Sequence, residues 1–575
     1  MKKIIQLLPV ALILLISNIT FGQLPSYISE AEQGLVADFQ FSTTRMTPPP
    51  AVPVRAAAEW EEVEYLVVTW ESNFQGILRQ IVAAGVEECK VIITTQNQNN
   101  VANYLTSGGV DLTNVIFMDA DWDSIWIRDY AGNTVYENEV GERGLTDWIY
   151  NRPRPNDNVV PEAHAALLGL PIYITNTGTN DLVNTGGNYM SDGLGNAFAS
   201  ELILEENEPG NPYGVSPKTE AQIDQIMGDY MGIQNYIKMT PMPFDVINHI
   251  DMHMKLLDEE TLVLSSYPEG VADGPQINEN IDYILDNFQT PFGTPYKIKR
   301  IPAPPSTSGA YPDSNGSYRT YTNALFLNKT ILVPTYRENV DTPALALWQE
   351  MMPGYNIVGI DVDNPGENLI SLVGAIHCIT HTIGVADPLW IVHQPITESV
   401  ENTTITIEAS IKHNSGIANG TIFWREEGAV DFTQTMMTNA GNDIWTADIP
   451  VVANNVEYYI SGTSNSGKSL ARPIVAPEGF WTVQVGQLST NNFLKNAIAG
   501  PYPNPTNGDV TFKMGNLRGN ITVTITNILG QELYSNTLEN GNGTIILDLQ
   551  DDWNGTLFAT FIGDFGKVTK KILKY

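Results

Sequence analysis

From Glu59 onward the chain alternates strand patterns with helix patterns, and that alternation is the strongest constraint on its fold. Residues 65–70 read as a buried strand. Phe74, Ile77, Leu78, Ile81 and Val82 then recur at helical spacing, giving one apolar face that Gly85 is expected to end. Residues 90–95 and 115–118 return as strands. Farther on, Thr342 offers an N-cap and Pro343 a first-turn proline for a helix over 344–352, stopped by Pro353-Gly354, and residues 357–360 are again strand-like. This order predicts an α/β domain. The composition shifts after Asp387-Pro388. Residues 403–411, 420–424, 444–449, 456–462 and 482–485 are short β-rich runs separated by Asn/Gly turns. They predict an immunoglobulin-type β-sandwich without a disulfide over 389–486, read as a spacer.

The two ends carry different signals. Lys2 and Lys3 precede an apolar run over 4–16, and small and polar residues follow to Gly22-Gln23. This is the pattern of an export signal over 1–22, and the run is shorter than the roughly 20 residues that span a bilayer. Residues 23–58 read as a propeptide or flexible lead-in, polar over 24–45 and proline-rich over 46–54, with Arg45 or Arg55 as a processing point. Residues 487–500 read as a linker. Then comes Pro501-Tyr502-Pro503-Asn504-Pro505, followed by strand patterns at 510–514 and 521–527 and a lysine-rich end over 567–574.

With 30 basic and 65 acidic residues the formal charge is −35, which argues against nucleic acid as a partner. Two cysteines, Cys89 and Cys378, exclude a disulfide scaffold. Cys89, between Glu87-Glu88 and a strand pattern, reads as structural. Cys378 lies in Ala375-Ile376-His377-Cys378-Ile379-Thr380. It is accompanied by Trp126-Ile127-Arg128-Asp129 and His249-Ile250-Asp251. One thiol, one imidazole and two carboxylates suit nucleophilic attack on a cationic, planar carbon such as that of a guanidinium, whose fork of N–H donors needs carboxylates once desolvated. The run His249-Ile250-Asp251-Met252-His253-Met254-Lys255 alternates, so on a strand His249, Asp251, His253 and Lys255 would share a face. A metal site on His249, Asp251 and His253, or a merely structural histidine, stays open on these residues alone. His253 itself reads as structural.

The ordered strings Trp-x-Arg-Asp, Gly186-Gly187-Asn188, His-x-Asp and Ile-His-Cys-Ile-Thr resemble the guanidino-group-modifying enzymes, and within them the bacterial peptidylarginine deiminases, relatives of agmatine deiminase. The resemblance covers residues 59–388. It implies an α/β-propeller of five ββαβ units about a pseudo-fivefold axis. It also implies that Cys378 is the nucleophile, that His249 moves protons, that Asp129 and Asp251 hold the guanidinium, and that Asn323 belongs to the active site. Trp126 is implied as a substrate-binding residue. Arg152 and Arg154, in Asn151-Arg152-Pro153-Arg154-Pro155, match arginines that grip the α-carboxylate of a C-terminal arginine. No cofactor and no metal is implied. The last 75 residues resemble the β-sandwich sorting domain of type IX secretion substrates in Bacteroidetes. That implies the type IX machinery as a partner and a secreted or outer-membrane-surface location. The expected activity is conversion of peptide arginine, preferentially C-terminal, to citrulline and ammonia. Deimination of agmatine or free arginine, a Cys/His peptidase and a non-catalytic adhesin are the alternatives.

Overall fold

The computed structural model describes residues 24–36, 47–175, 178–451, 453–485, 498–502, 504, 506–514, 520–538, 543–550, 552–563 and 566–574. The expected signal, Arg45 and most of the linker lie outside these residues.

One local design is used five times over residues 63–384. Two strands pair antiparallel, and the second runs through a helix into a third strand that lies parallel to it. The first unit joins His381–Gly384, Val63–Thr69, the helix Gln75–Glu88 and Lys90–Thr94, so its opening strand comes from the far end of the region. The second joins Asn133–Glu137, Arg143–Tyr150, Val160–Leu168 and Ile172–Thr175. The third joins Met190–Ser191, Asn196–Ser200, Glu220–Met231 and Asn235–Met239. The fourth joins Met254–Leu256, Thr261–Ser266, Asp273–Asn287 and Lys297–Pro302. The fifth joins Leu325–Leu327, Thr330–Thr335, Glu338–Met351 and Asn356–Asp361. The middle strands are nearly continuous apolar runs because both of their faces are covered. The strand Val54–Ala56 adds to the second unit beside Asn133–Glu137.

This repetition explains how distant motifs meet. Asp129, Asn188, Asp251, Asn323 and Cys378 all lie in the segment just ahead of the first strand of a unit. These segments approach one another: a Cβ on Gly187 would meet Asp129 and His249, and Asn323 and Asp251 both reach Cys378.

Beyond Pro388, two strand sets share one apolar core. Trp390–Val392, Thr403–Lys412, Ile444–Val451 and Thr438–Gly441 form one. Ile417–Glu426, Val456–Ser464 and Trp481–Val485 lead the other. A separate core, including Phe512, Val523 and Phe561, lies between two further sheets after residue 498.

Several expectations need correction. Gly85 does not end the first helix, which runs to Glu88. Gly85 marks a close helix–sheet crossing instead, since a Cβ there would come within 2.7 Å of Leu66 and 2.9 Å of Val91. The fifth helix begins at Glu338, with Pro343 inside it and Thr342 donating to the Glu338 carbonyl rather than capping. Asp341, accepting from the Tyr336 N–H and the Tyr321 hydroxyl, holds that start. His249 to His253 is not a strand: Asn248 adopts a left-handed φ of 57°, and Ile250–Met252 is a 3₁₀ turn. Arg55 is no exposed processing point, being buried and ion-paired to Glu61 at 2.5 Å. The stretch over 24–36 is not an unstructured lead-in. It contains the helix Glu30–Val36 and is docked on the second unit.

Candidate active site

Cys378 is buried in the turn that follows Ile376. Asn323 fixes it from the neighbouring repeat. The amide Nδ2 donates to Sγ at 3.2 Å, while Oδ1 accepts from the backbone N–H groups of His377 and Cys378 at 3.0 and 3.4 Å. The Sγ lies 3.7 Å from Asp251 Oδ2. Burial, with Asp251 and Asp129 adding to it, pushes the thiol well above its ordinary range. Cys378 therefore rests as a thiol, and a cation beside it would favour the thiolate.

Two carboxylates face this thiol from different repeats. Asp129 sits on the short helix Ile127–Tyr130. His249 Nδ1 is 3.5 Å from its Oδ1. Burial raises the Asp129 carboxyl, although His249 and Arg152 partly offset this. Asp251 goes the other way. Burial would raise it, but the hydrogen bond and charge of His377, with His249 and Arg128, outweigh that and hold it below its ordinary value. Both Asp129 oxygens, Asp251 Oδ1 and both His249 ring nitrogens are buried without a hydrogen-bond partner. Such acceptors are costly unless a ligand supplies donors. Three open carboxylate oxygens next to a thiol suit a planar cation with a fork of N–H groups.

His377 and Glu59 are the residues that the sequence reading passed over. His377 Nδ1 is 2.7 Å from Asp251 Oδ2, and Nε2 is 2.6 Å from Glu59 Oε1. Each ring nitrogen thus faces a carboxylate oxygen. Glu59 also pairs with Lys255 and, at 3.5 Å, with Arg128. Burial would raise the Glu59 carboxyl, but His377, Lys255 and Arg128 keep it well below the usual carboxylate range. This chain of buried charges anchors Asp251 at the thiol. Arg128 does not pair with Asp129. It is buried, and it donates to the carbonyls of His377 and Cys378 through Nε and its backbone N–H.

Gly187 fills the space between two of these groups. A Cβ there would lie 2.4 Å from His249 Nδ1 and 2.9 Å from Asp129 Oδ1. Gly187→Ala is therefore expected to part His249 from Asp129 and cut turnover about a hundredfold, since small misplacements are costly in a positioned site. A turnover within twofold of the parent would show that the close approach is unimportant.

The remaining expected residues have other direct partners, although the charge of Arg152 is felt at Asp129. Trp126 is fully buried and donates through Nε1 to the Leu24 carbonyl at 2.8 Å. Arg152 and Arg154 are buried and held by residues of the segment 24–36. His253 turns away to Asp245 at 3.1 Å and stacks edge-on against Tyr318, so it does not join His249 and Asp251. Among the described residues, no group of three or more His, Cys, Asp or Glu is arranged to hold a metal ion. Cys89 and Cys378 are both free, and burial pushes the Cys89 thiol up to about 12.

Residues 52–383 match the model of the Porphyromonas-type peptidyl-arginine deiminases. The chain belongs to that family. Residues 501–575 match the secretion system C-terminal sorting domain, which marks this deiminase as a secreted or cell-surface protein. A Yersinia pseudotuberculosis protein named "Putative agmatine deiminase" is 26% identical over 359 residues, spanning 57% of this chain and 95% of that protein. A Vibrio parahaemolyticus protein of the same name is 25% identical over 324 residues, spanning 52% of this chain and 84% of its own. Among solved structures, the "Putative Arginine Deiminase from Porphyromonas gingivalis" aligns at a TM-score of 0.50 with 19% identity, covering 58% of this chain and 98% of that one. The deiminase described here is a hydrolase of amidine C–N bonds, acting on guanidino groups and related to both peptidylarginine and agmatine deiminases.

Proposed function

We propose that this deiminase hydrolyses the guanidinium of peptide arginine, preferentially at a free C-terminus, to citrulline and ammonia. The observation that carries the reading is the set of unpartnered buried oxygens of Asp129 and Asp251 beside the Cys378 thiol. A guanidinium laid between the carboxylates supplies their missing donors, and its charge offsets the two that disfavour the thiolate.

The Cys378 proton passes to His249, and sulfur attacks the guanidinium carbon to give a neutral tetrahedral adduct. His249 returns the proton to one amino group, ammonia departs, and a thiouronium cation remains on Cys378. His249 next takes a proton from water, hydroxide adds to the same carbon, and the C–S bond breaks to release the ureido product. The excess proton leaves with ammonia as ammonium. Asn323 steadies sulfur throughout. Arg152 and Arg154 would hold the α-carboxylate, and Trp126 would wall the entrance.

Around this chemistry we assign the five units to a closed pseudo-fivefold propeller, and the two sheets over 389–486 to an immunoglobulin-type spacer. The sorting domain from 501 onward would engage the type IX machinery. Two matched peptides test the substrate, one ending in free arginine and one with that arginine amidated. The expected result is ureido product from the free terminus at a kcat/KM at least about tenfold above the amide, the margin one charge-assisted pair supplies. Equal turnover would overturn the carboxylate preference. Turnover of agmatine alone would move the substrate to the small guanidino amines.

A further inference from the structure

We infer that residues 24–36 are a self-inhibiting segment, docked in the carboxylate clamp as a stand-in for substrate. The inference rests on the proposed role of Arg152 and Arg154 and assigns the regulation of that same site.

The segment takes up the clamp. Arg154 Nε and Nη2 donate to the two carboxylate oxygens of Glu32 at 2.8 and 3.3 Å, a two-point grip of the kind a substrate α-carboxylate would receive. Nη2 also donates to the carbonyls of Pro25 and Tyr27 at 2.6 and 3.3 Å. Arg152 Nε donates to the Ser26 carbonyl at 2.8 Å. With the segment in place Arg154 is 1% exposed and Arg152 4%, so neither can meet an incoming carboxylate. Glu32 is held for the task by Ser29, whose backbone N–H and hydroxyl donate to its Oε2 at 2.9 and 2.7 Å.

The segment also reaches the nucleophile's loop. The Ser26 N–H and hydroxyl donate to the carbonyls of Leu372 and Val373 at 3.0 and 2.5 Å. Val373 has a φ of 63°, a left-handed conformation that a β-branched residue adopts only under constraint, and it stands five positions before Cys378. The Leu24 carbonyl accepts from Trp126, and Ile28 and Val36 pack with Ile149, Val183, Tyr213 and Val215. One short stretch thus touches Trp126, both arginines and the approach to Cys378. Tethered to its site, it acts at an effective concentration of roughly millimolar, which a dilute peptide substrate cannot match.

The test inserts a protease recognition sequence between Val36 and Thr47 of the full chain. The protein is compared before cutting and after cutting with the released segment removed. The expected result is a rise of about tenfold or more in kcat/KM for a peptide ending in free arginine. A labelled synthetic peptide of residues 24–36 should rebind the cut protein and be displaced by the free-terminus peptide, not by its amide. In the uncut chain, Glu32→Gln should reproduce part of the rise. Equal kinetics before and after cutting, with no competition by the labelled segment, would overturn the inference and leave 24–36 as a fixed part of the fold. If the segment rebinds but neither form produces a ureido group from any guanidino compound, the deimination reading fails, and substrate competition fails with it.

Discussion

Replacing Cys378 with alanine is expected to lower ureido formation by at least about 10⁴-fold while leaving the fold intact, because removal of a covalent nucleophile leaves only binding and electrostatic assistance. The side chain is small and enclosed, and Asn323 still keeps both backbone N–H donors on its Oδ1. The thermal midpoint of the variant should therefore stay close to that of the parent. Loss of turnover together with a large fall in midpoint would mean that Cys378 supports packing rather than chemistry. Retained turnover would mean that another group attacks the guanidinium.

Asp251→Asn is expected to have the second-largest effect, with turnover down about 10³-fold, the scale of losing a preorganised electrostatic contact in a water-poor site. The substitution keeps the shape but removes the charge that faces His377 and, in the proposed reaction, would face the substrate cation. It leaves the Glu59–His377 pair without its second carboxylate, which should also cost about 3 kcal/mol of stability, as when one partner of a buried ion pair is removed. The pH dependence follows from the sign of the shift. Asp251 is held below its ordinary value of 3.8 in the folded protein. Its stabilising contribution is thus full above 3.8 and is lost as pH falls through the lower folded value. Urea midpoints measured from neutral to acid pH should show a deficit for the variant that narrows at the acid end. A deficit constant over the whole range would assign the loss to packing instead of charge.

The alternation of strands and helices was legible because a covered middle strand such as Val63–Thr69 is a nearly continuous apolar run and the helix Gln75–Glu88 keeps one apolar face. Where local rules misled, a contact between distant residues decided the outcome. Gly85 is small because Leu66 and Val91 press against it, not because the helix ends there. Pro343 sits inside its helix because Asp341 anchors an earlier start. The motif residues were recognisable as strings, yet the reason they meet is topological, each preceding the first strand of a repeat.

His377 and Glu59 escaped notice for a physical reason. Alternation along a strand would point His377 away from Cys378, but the segment is a turn, so adjacent side chains both face inward. Glu59 stands in no pattern; only its position 318 residues before His377 in sequence, and 2.6 Å from it in space, gives it a role. Likewise the polar composition of 24–36 suggested flexibility, whereas its order comes from the pairing of Glu32 with Arg154, 122 residues later.

If Cys378 attacks the guanidinium, it carries that carbon covalently during turnover. The most direct measurement is acid quenching of the protein in the steady state with an arginine-terminated peptide, then intact-mass analysis and peptide mapping. The expected result is a covalent adduct of substrate less ammonia on the peptide that contains Cys378, absent from Cys378→Ala and lost as ureido product accumulates. Ureido product formed at full rate with no adduct at Cys378 would contradict it.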